Sequence, residues 1–201
     1  MFEKHKNEEV KVEEFEHKSN VSNIVASGSI NQEIELQPLA EDIRFDVNQP
    51  EVFPAIVVDL GENITSLVFD SGKFVLTGGK HFDTVESGYN KLMEEFEDLF
   101  DKELDTEVEI RNIVYTARYN TTFTLEAEVI RLGMDNCEYE PEQFGAIMYP
   151  MPDEVGVDSG HALIFSSGTI NIVGGKTIDD INKMKEHIEE VLEIGKGFYD
   201  V

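Results

Sequence analysis

Three blocks of this sequence occur twice, in the same order and at nearly constant spacing. That pattern restricts the fold to one built from two copies of a single unit. SNIVASGS, starting at residue 22, and RNIVYTAR, starting at 111, share an Asn-Ile-Val core. VFPAIVV (from 52) and QFGAIMY (from 143) share Phe, Ala and Ile. SLVFDSGKFVLTGGK (from 66) aligns without gaps on ALIFSSGTINIVGGK (from 162), with seven of fifteen positions identical. The offsets are 89, 91 and 96 residues, and the drift comes from short insertions, chiefly PDEVGVDSG at 152–160.

Each copy opens on an apolar run, VSNIVAS or EIRNIVYTA, followed by a short helix-compatible segment at Leu36 to Ile43 or Leu125 to Leu132. Alternating or continuously apolar runs come next, separated by Gly, Ser and acidic turns, the pattern of antiparallel strands. A longer amphipathic helix closes each copy. Val85, Tyr89, Leu92, Met93, Phe96 and Leu99 share one face in the first, and Ile178, Ile181, Met184, Ile188, Val191 and Leu192 in the second. Strands with helices on one face make an α+β layer, and the other face of the sheet stays open. The chain is expected to divide into an acidic tail at 1–19, a first repeat at 20–104, a second at 105–197, and a short end at 198–201.

The 201 residues include one cysteine, Cys137, so an internal disulfide and a Cys-rich zinc site are excluded. No stretch approaches the roughly 20 apolar residues of a membrane helix, and the charged N-terminus lacks the apolar core of a signal peptide. A cytoplasmic protein is expected. The charge is unusual: 42 acidic against 16 basic residues, −26 overall. Phosphate neutralisation supplies most non-specific affinity for nucleic acid, so this coat argues against tight DNA binding at low salt. Two explanations stay open, a protein that works in high salt, where screening falls to about 3 Å at 1 M, or one that does not grip DNA.

The blocks NIVAS, YEPEQF (139–144), VFDSGKFVLTGGK, LIFSSG (163–168) and IVGGK resemble the TATA-binding protein family in its archaeal form, from about residue 20 to about 195. The resemblance implies an α+β saddle: two pseudo-twofold repeats sharing one curved antiparallel sheet, with helices on the convex face. It implies no enzyme activity and no cofactor. The implied function is a general transcription initiation factor that binds and bends TATA-box duplex DNA through the minor groove and recruits transcription factor B, and through it RNA polymerase. A divergent regulator that holds transcription proteins with little DNA binding is the alternative. The family works as a monomer on DNA, and its apolar face would favour self-association when DNA is absent.

By position, the family's four intercalating phenylalanines fall on Phe53, Phe69, Phe144 and Phe165. Its base-contacting floor falls on Asn23, Val25, Leu67, Val75 and Thr77 in the first repeat, and on Asn112, Val114, Leu163, Asn171 and Val173 in the second. Asn171 and Val173 depart from the family's Val and Thr. Amide groups suit the minor-groove acceptors that A·T and T·A share. Expected phosphate contacts survive as Lys73, Lys80 and Lys176, whereas Asp59, Pro150 and Thr169 stand where the family has basic residues. The loop before Phe144 carries Glu140, Glu142 and Gln143, which match the family's docking surface for the basic transcription factor B. GGKT (174–177) lacks the upstream Gly of a phosphate-binding loop, and the five histidines show no paired metal spacing.

Overall fold

The computed structural model describes residues 20–36, 55–101, 104 and 106–194. Phe53, the 1–19 tail, the 198–201 end and all but Leu36 of the expected Leu36–Ile43 helix lie outside them. The elements in chain order are β1 (Asn20–Ser29), β2 (Ala55–Gly61), β3 (Ile64–Phe69), β4 (Lys73–Gly79) and α1 (Phe82–Phe100). They are followed by β5 (Glu107–Arg118), α2 (Leu125–Leu132), β6 (Ala146–Pro150), a 3-10 turn at Asp153–Val155, β7 (His161–Phe165), β8 (Thr169–Gly175) and α3 (Ile178–Val191).

Two compact units divide between Arg111 and Asn112, with residues 20–22 packing in the second. In the first unit the strand order is β2-β3-β4-β1, and in the second β6-β7-β8-β5. The paired strands run antiparallel, and the order is the one a duplication requires. α1 packs on β2, β3 and β4, and α3 on β7 and β8. The strands alternate as their sequences alternate. In β4, Phe74 and Leu76 are buried while Val75 and Thr77 are half-buried; in β8, Ile170 and Ile172 are buried while Asn171 and Val173 are half-buried. The helices answer with the expected stripes, Val85, Leu92, Met93 and Phe96 in α1 and Ile178, Ile181, Met184 and Ile188 in α3, all buried. A capping box starts α3: the Thr177 hydroxyl accepts from the Asp180 N–H at 3.0 Å, and the Asp180 carboxylate accepts from the Thr177 N–H at 2.9 Å.

One core position breaks the pattern. Ser66 in β3 is 0% exposed, and its hydroxyl has no hydrogen-bond partner among the described residues. Its repeat mate 96 residues on is Ala162, buried without a polar atom. An unsatisfied buried hydroxyl costs about 1–3 kcal/mol. Ser66→Ala is therefore expected to stabilise the protein, with a melting temperature about 2–4 °C higher per kcal/mol recovered. A melting temperature equal to or below the wild type in calorimetry would show that the hydroxyl is satisfied in solution.

Candidate functional site

Each unit presents the sheet face opposite its helix. In the first, cross-strand register aligns Val57, Leu67, Val75 and Ser27 in one row, and Asp59, Thr65 and Thr77 in the next. In the second, Met148, Leu163, Asn171 and Thr116 form the matching row, and Pro150, His161 and Val173 the next. Directly opposed residues of an antiparallel pair leave the same face, so these rows are continuous surfaces. The sequence-derived floor residues Leu67, Val75, Thr77, Leu163, Asn171 and Val173 all lie on them, half-buried, and Asn23, Val25, Asn112 and Val114 on the first strands are half-buried beside them.

The two asparagines are held by a device common to both repeats. The β1–β4 register advances from Ile24↔Gly79 to Ala26↔Leu76, so β4 carries one extra residue there; β8 does the same between Ile113↔Gly175 and Tyr115↔Ile172. The bulge contains Gly78 (φ +103) or Gly174 (φ +98), a conformation L side chains rarely adopt. A Cβ on Gly78 would sit 1.9 Å from the Asn63 carbonyl oxygen, and one on Gly174 2.4 Å from that of Ser159. These N–H groups turn to the asparagines, Gly78 donating to Asn23 Oδ1 at 2.8 Å and Gly174 to Asn112 Oδ1 at 2.7 Å. A backbone N–H can only donate, so each side-chain oxygen is fixed toward the bulge and each NH2 away from it. This is the structural reason for the first glycine of the Gly-Gly pair in both copies.

Here the repeats diverge. Thr77 Oγ1 lies 3.2 Å from Asn23 Nδ2 and 3.3 Å from its Oδ1, so in the first unit the amide is partly engaged. The second unit has Val173 instead, and among the described residues the Asn112 NH2 has no partner. The lost polarity reappears two residues away, in the neighbouring row, where Thr116 Oγ1 donates to Asn171 Oδ1 at 2.9 Å.

Phe144 is 44% exposed, and its ring meets that of Phe165 edge-on, with centroids 6.0 Å apart. Phe165 ends β7, half-buried; Phe69 ends β3 in the same way, and β-register places Ala55 and Ala146 beside the two. Phe144 is carried on a tight turn in which the N–H groups of Gln143 and Phe144 both donate to the Glu140 carbonyl at 2.9 Å. A two-bond bridge between Glu138 and Met148 fixes the base of that loop. Glu140, Glu142 and Gln143 are exposed on it, and Gln143 Nε2 donates to the Glu140 carboxylate.

The family model for transcription factor TFIID, or TATA-binding protein (TBP), matches residues 18–99 and again 107–194, one match per repeat. The TATA-box-binding protein of Natronomonas pharaonis is 38% identical over 87% of this chain and 92% of its own. That of Archaeoglobus fulgidus is 34% identical over 88% of this chain and 96% of its own. The solved structure of Methanococcus jannaschii TBP superposes with a TM-score of 0.71 at 30% identity, covering 87% of this chain and 98% of that one. The chain belongs to the TATA-binding protein family. Its fold class is the expected α+β TATA-binding-protein fold, and the family is one of transcription factors rather than enzymes. The TATA-box-binding protein E of Halobacterium salinarum is 37% identical over 86% of this chain and 94% of its own. Among the described residues no helix is long and apolar enough to cross a membrane.

Against the family pattern, the departures have local explanations. Asp59, at a family arginine position, accepts from the Gly61 N–H at 2.8 Å and so holds the β2–β3 turn, where Gly61, Glu62 and Asn63 all have positive φ. Pro150 ends β6 on the edge of its sheet, where a missing N–H costs little. Lys73, Lys80 and Lys176 are exposed, with no ion-pair partner among the described residues. Two open-face residues of β5, Thr116 and Arg118, carry no motif of their own; the 89-residue offset pairs them with Ser27 and Ser29 and is the signal that finds them.

Proposed function

We propose that this protein binds TATA-containing duplex DNA through the open sheet faces of its two repeats, bends it, and recruits transcription factor B through the loop at Glu140, Glu142 and Gln143. The observation that carries the reading is the edge-on aromatic pair of exposed Phe144 and half-buried Phe165 at the end of the second face. A stiff apolar ring can unstack a base step for a few kcal/mol, which the wider contact of bent DNA offsets; TATA-binding proteins are themselves the type case of this physics. Oriented amide donors on Asn23 and Asn112 suit the acceptors of A·T steps in the minor groove. The exposed lysines supply phosphate contacts, few in number, so the salt dependence is shallow. Carboxylates at the docking loop favour a basic partner by orientation and on-rate.

A second reading, a regulator that holds transcription proteins without gripping DNA, is favoured by Asp59 and by the net charge of −26. The two separate in a gel shift comparing a TATA duplex with a shuffled one, from about 0.1 M to about 3 M KCl, where screening shortens from roughly 10 Å to below 3 Å. The promoter reading expects TATA-selective binding that strengthens relative to the shuffled duplex as salt rises. Absence of selectivity at every salt, with transcription factor B still captured, would transfer the case to the regulator.

A further inference from the structure

Nine lysine and arginine side chains lie among the described residues from Lys73 to Lys185. Five are engaged within the protein. Arg111 pairs with Glu109 at 2.9 Å and donates to Ser27 Oγ at 2.7 Å, and Arg131 contacts Glu128 at 3.4 Å. Lys91 donates to the Leu60 carbonyl at 2.8 Å, Lys183 pairs with Asp179 at 2.6 Å, and Lys185 with Glu189 at 3.0 Å. Four of these pair with a carboxylate, and Lys91 is held by a backbone carbonyl. Four are left: Lys73, Lys80, Lys176 and Arg118, all exposed. Three of these are the surviving phosphate positions of the family pattern. The fourth is not.

The sheet register says what Arg118 replaces. In the first repeat Lys73 of β4 stands directly opposite Ser29 of β1. In the second repeat the same rung holds Thr169 of β8 opposite Arg118 of β5. The hydroxyl and the cation have exchanged strands. Opposed residues share a face and sit about 4.5–5.5 Å apart at Cα, a shift that a long flexible side chain spans. Thr169 alternates with Asn171 and Val173, so Arg118 rises from the same open face. We propose that Arg118 is a DNA-phosphate contact of the second repeat, taking over from the basic residue absent at Thr169; the assignment rests on the promoter-binding reading above. Its planar fork grips a phosphodiester with two hydrogen bonds where a lysine offers a point charge.

The test uses the full-length protein and a fluorescein-labelled TATA duplex, with anisotropy titrations over about a tenfold range of KCl. Arg118→Ser is expected to lower the slope of log K against log [KCl] by about 0.9, so a fourfold rise in salt costs about 3.5-fold less affinity than in the wild type. Arg118→Gln should do the same with a longer stem, and Arg118→Lys should keep the slope. Adding Thr169→Lys to Arg118→Ser restores the first-repeat arrangement and should recover the slope, whereas Lys183→Ser on α3 leaves it unchanged. Unfolding curves of the two charge-free variants are expected to match the wild type, because the side chain is exposed. An unaltered slope in both, with the wild type bound to TATA DNA, overturns the assignment alone. A wild type without TATA binding at any salt overturns the promoter reading and this assignment with it.

Discussion

Replacing Phe144 and Phe165 together with alanine is expected to weaken TATA-duplex binding on the order of 100-fold or more and to abolish bending. Base–aromatic stacking is worth about 1–3 kcal/mol per ring by alanine substitution, so two rings together account for roughly 1.5 to 4 decades of affinity. The fold loses little in return. Phe144 is 44% exposed and Phe165 half-buried, so truncation mainly removes their mutual edge-to-face contact, about 0.5–1.5 kcal/mol. Energy transfer between dyes at the duplex ends reads the bend, and anisotropy reads the affinity. Wild-type transfer efficiency in the double variant would mean that the rings are not the wedges. A drop in melting temperature of more than a few degrees would mean that they are part of the core. Phe144→Ala alone should give an intermediate loss, since Phe165 keeps its place at the end of β7.

A second large effect is expected far from the open faces. Glu189 of α3 is 9% exposed, and its carboxylate accepts from the Tyr119 hydroxyl at 2.9 Å and from Lys185 at 3.0 Å. Burial and the neighbouring Glu189 push the Tyr119 phenol's pKa well above its ordinary value, so the hydroxyl remains a donor throughout the working range. The repeat mates of this pair, 89 and 96 residues earlier, are Ile30 and Met93, both buried and apolar. One repeat thus solves with a hydrogen-bonded charge what the other solves with hydrocarbon. Removing the Glu189 carboxylate takes this acceptor from the Tyr119 hydroxyl and the Lys185 ammonium, and a hydrogen bond to a charged group is worth about 1.5–3 kcal/mol. Glu189→Met is therefore expected to lower the melting temperature by roughly 3–12 °C at about 2–4 °C per kcal/mol. Tyr119→Ile with Glu189→Met copies the first repeat, and should be less destabilised than the two single variants summed. Strict additivity in that cycle would show that the pair is not coupled. DNA affinity at fixed salt should not change in any variant that folds.

The sequence carried the repeat, and with it the fold, because duplicated blocks preserve both the alternation of β4 and β8 and the stripes of α1 and α3. It placed the expected floor residues on the open faces for the same reason: Val75 and Asn171 occupy corresponding rungs of the two units whatever their chemistry. It did not carry Arg118. A linear alignment sets Arg118 against Ser29 and Thr169 against Lys73, but it does not say that the two positions stand opposite each other. Cross-strand register is needed to see that Ser29↔Lys73 has become Arg118↔Thr169. Nor could the sequence explain Asp59, whose Asx contact to Gly61 depends on the three positive-φ residues of its turn. The Gly-Gly pair was visible as a motif, but its purpose, freeing one N–H to orient an amide, is a property of the bulge.

The unequal asparagines have one more consequence. A molecule whose halves were chemically identical could settle on a promoter facing either way with equal energy, and transcription would start in both directions. Thr77 restrains the amide of Asn23, while Val173 leaves that of Asn112 at liberty and Asn171 puts a polar group where the first half has Val75. On the promoter-binding reading, these differences add to Arg118 and Thr169 in making the two halves unequal toward DNA, and exchanging side chains at the two matched rungs is expected to weaken a preference for one direction.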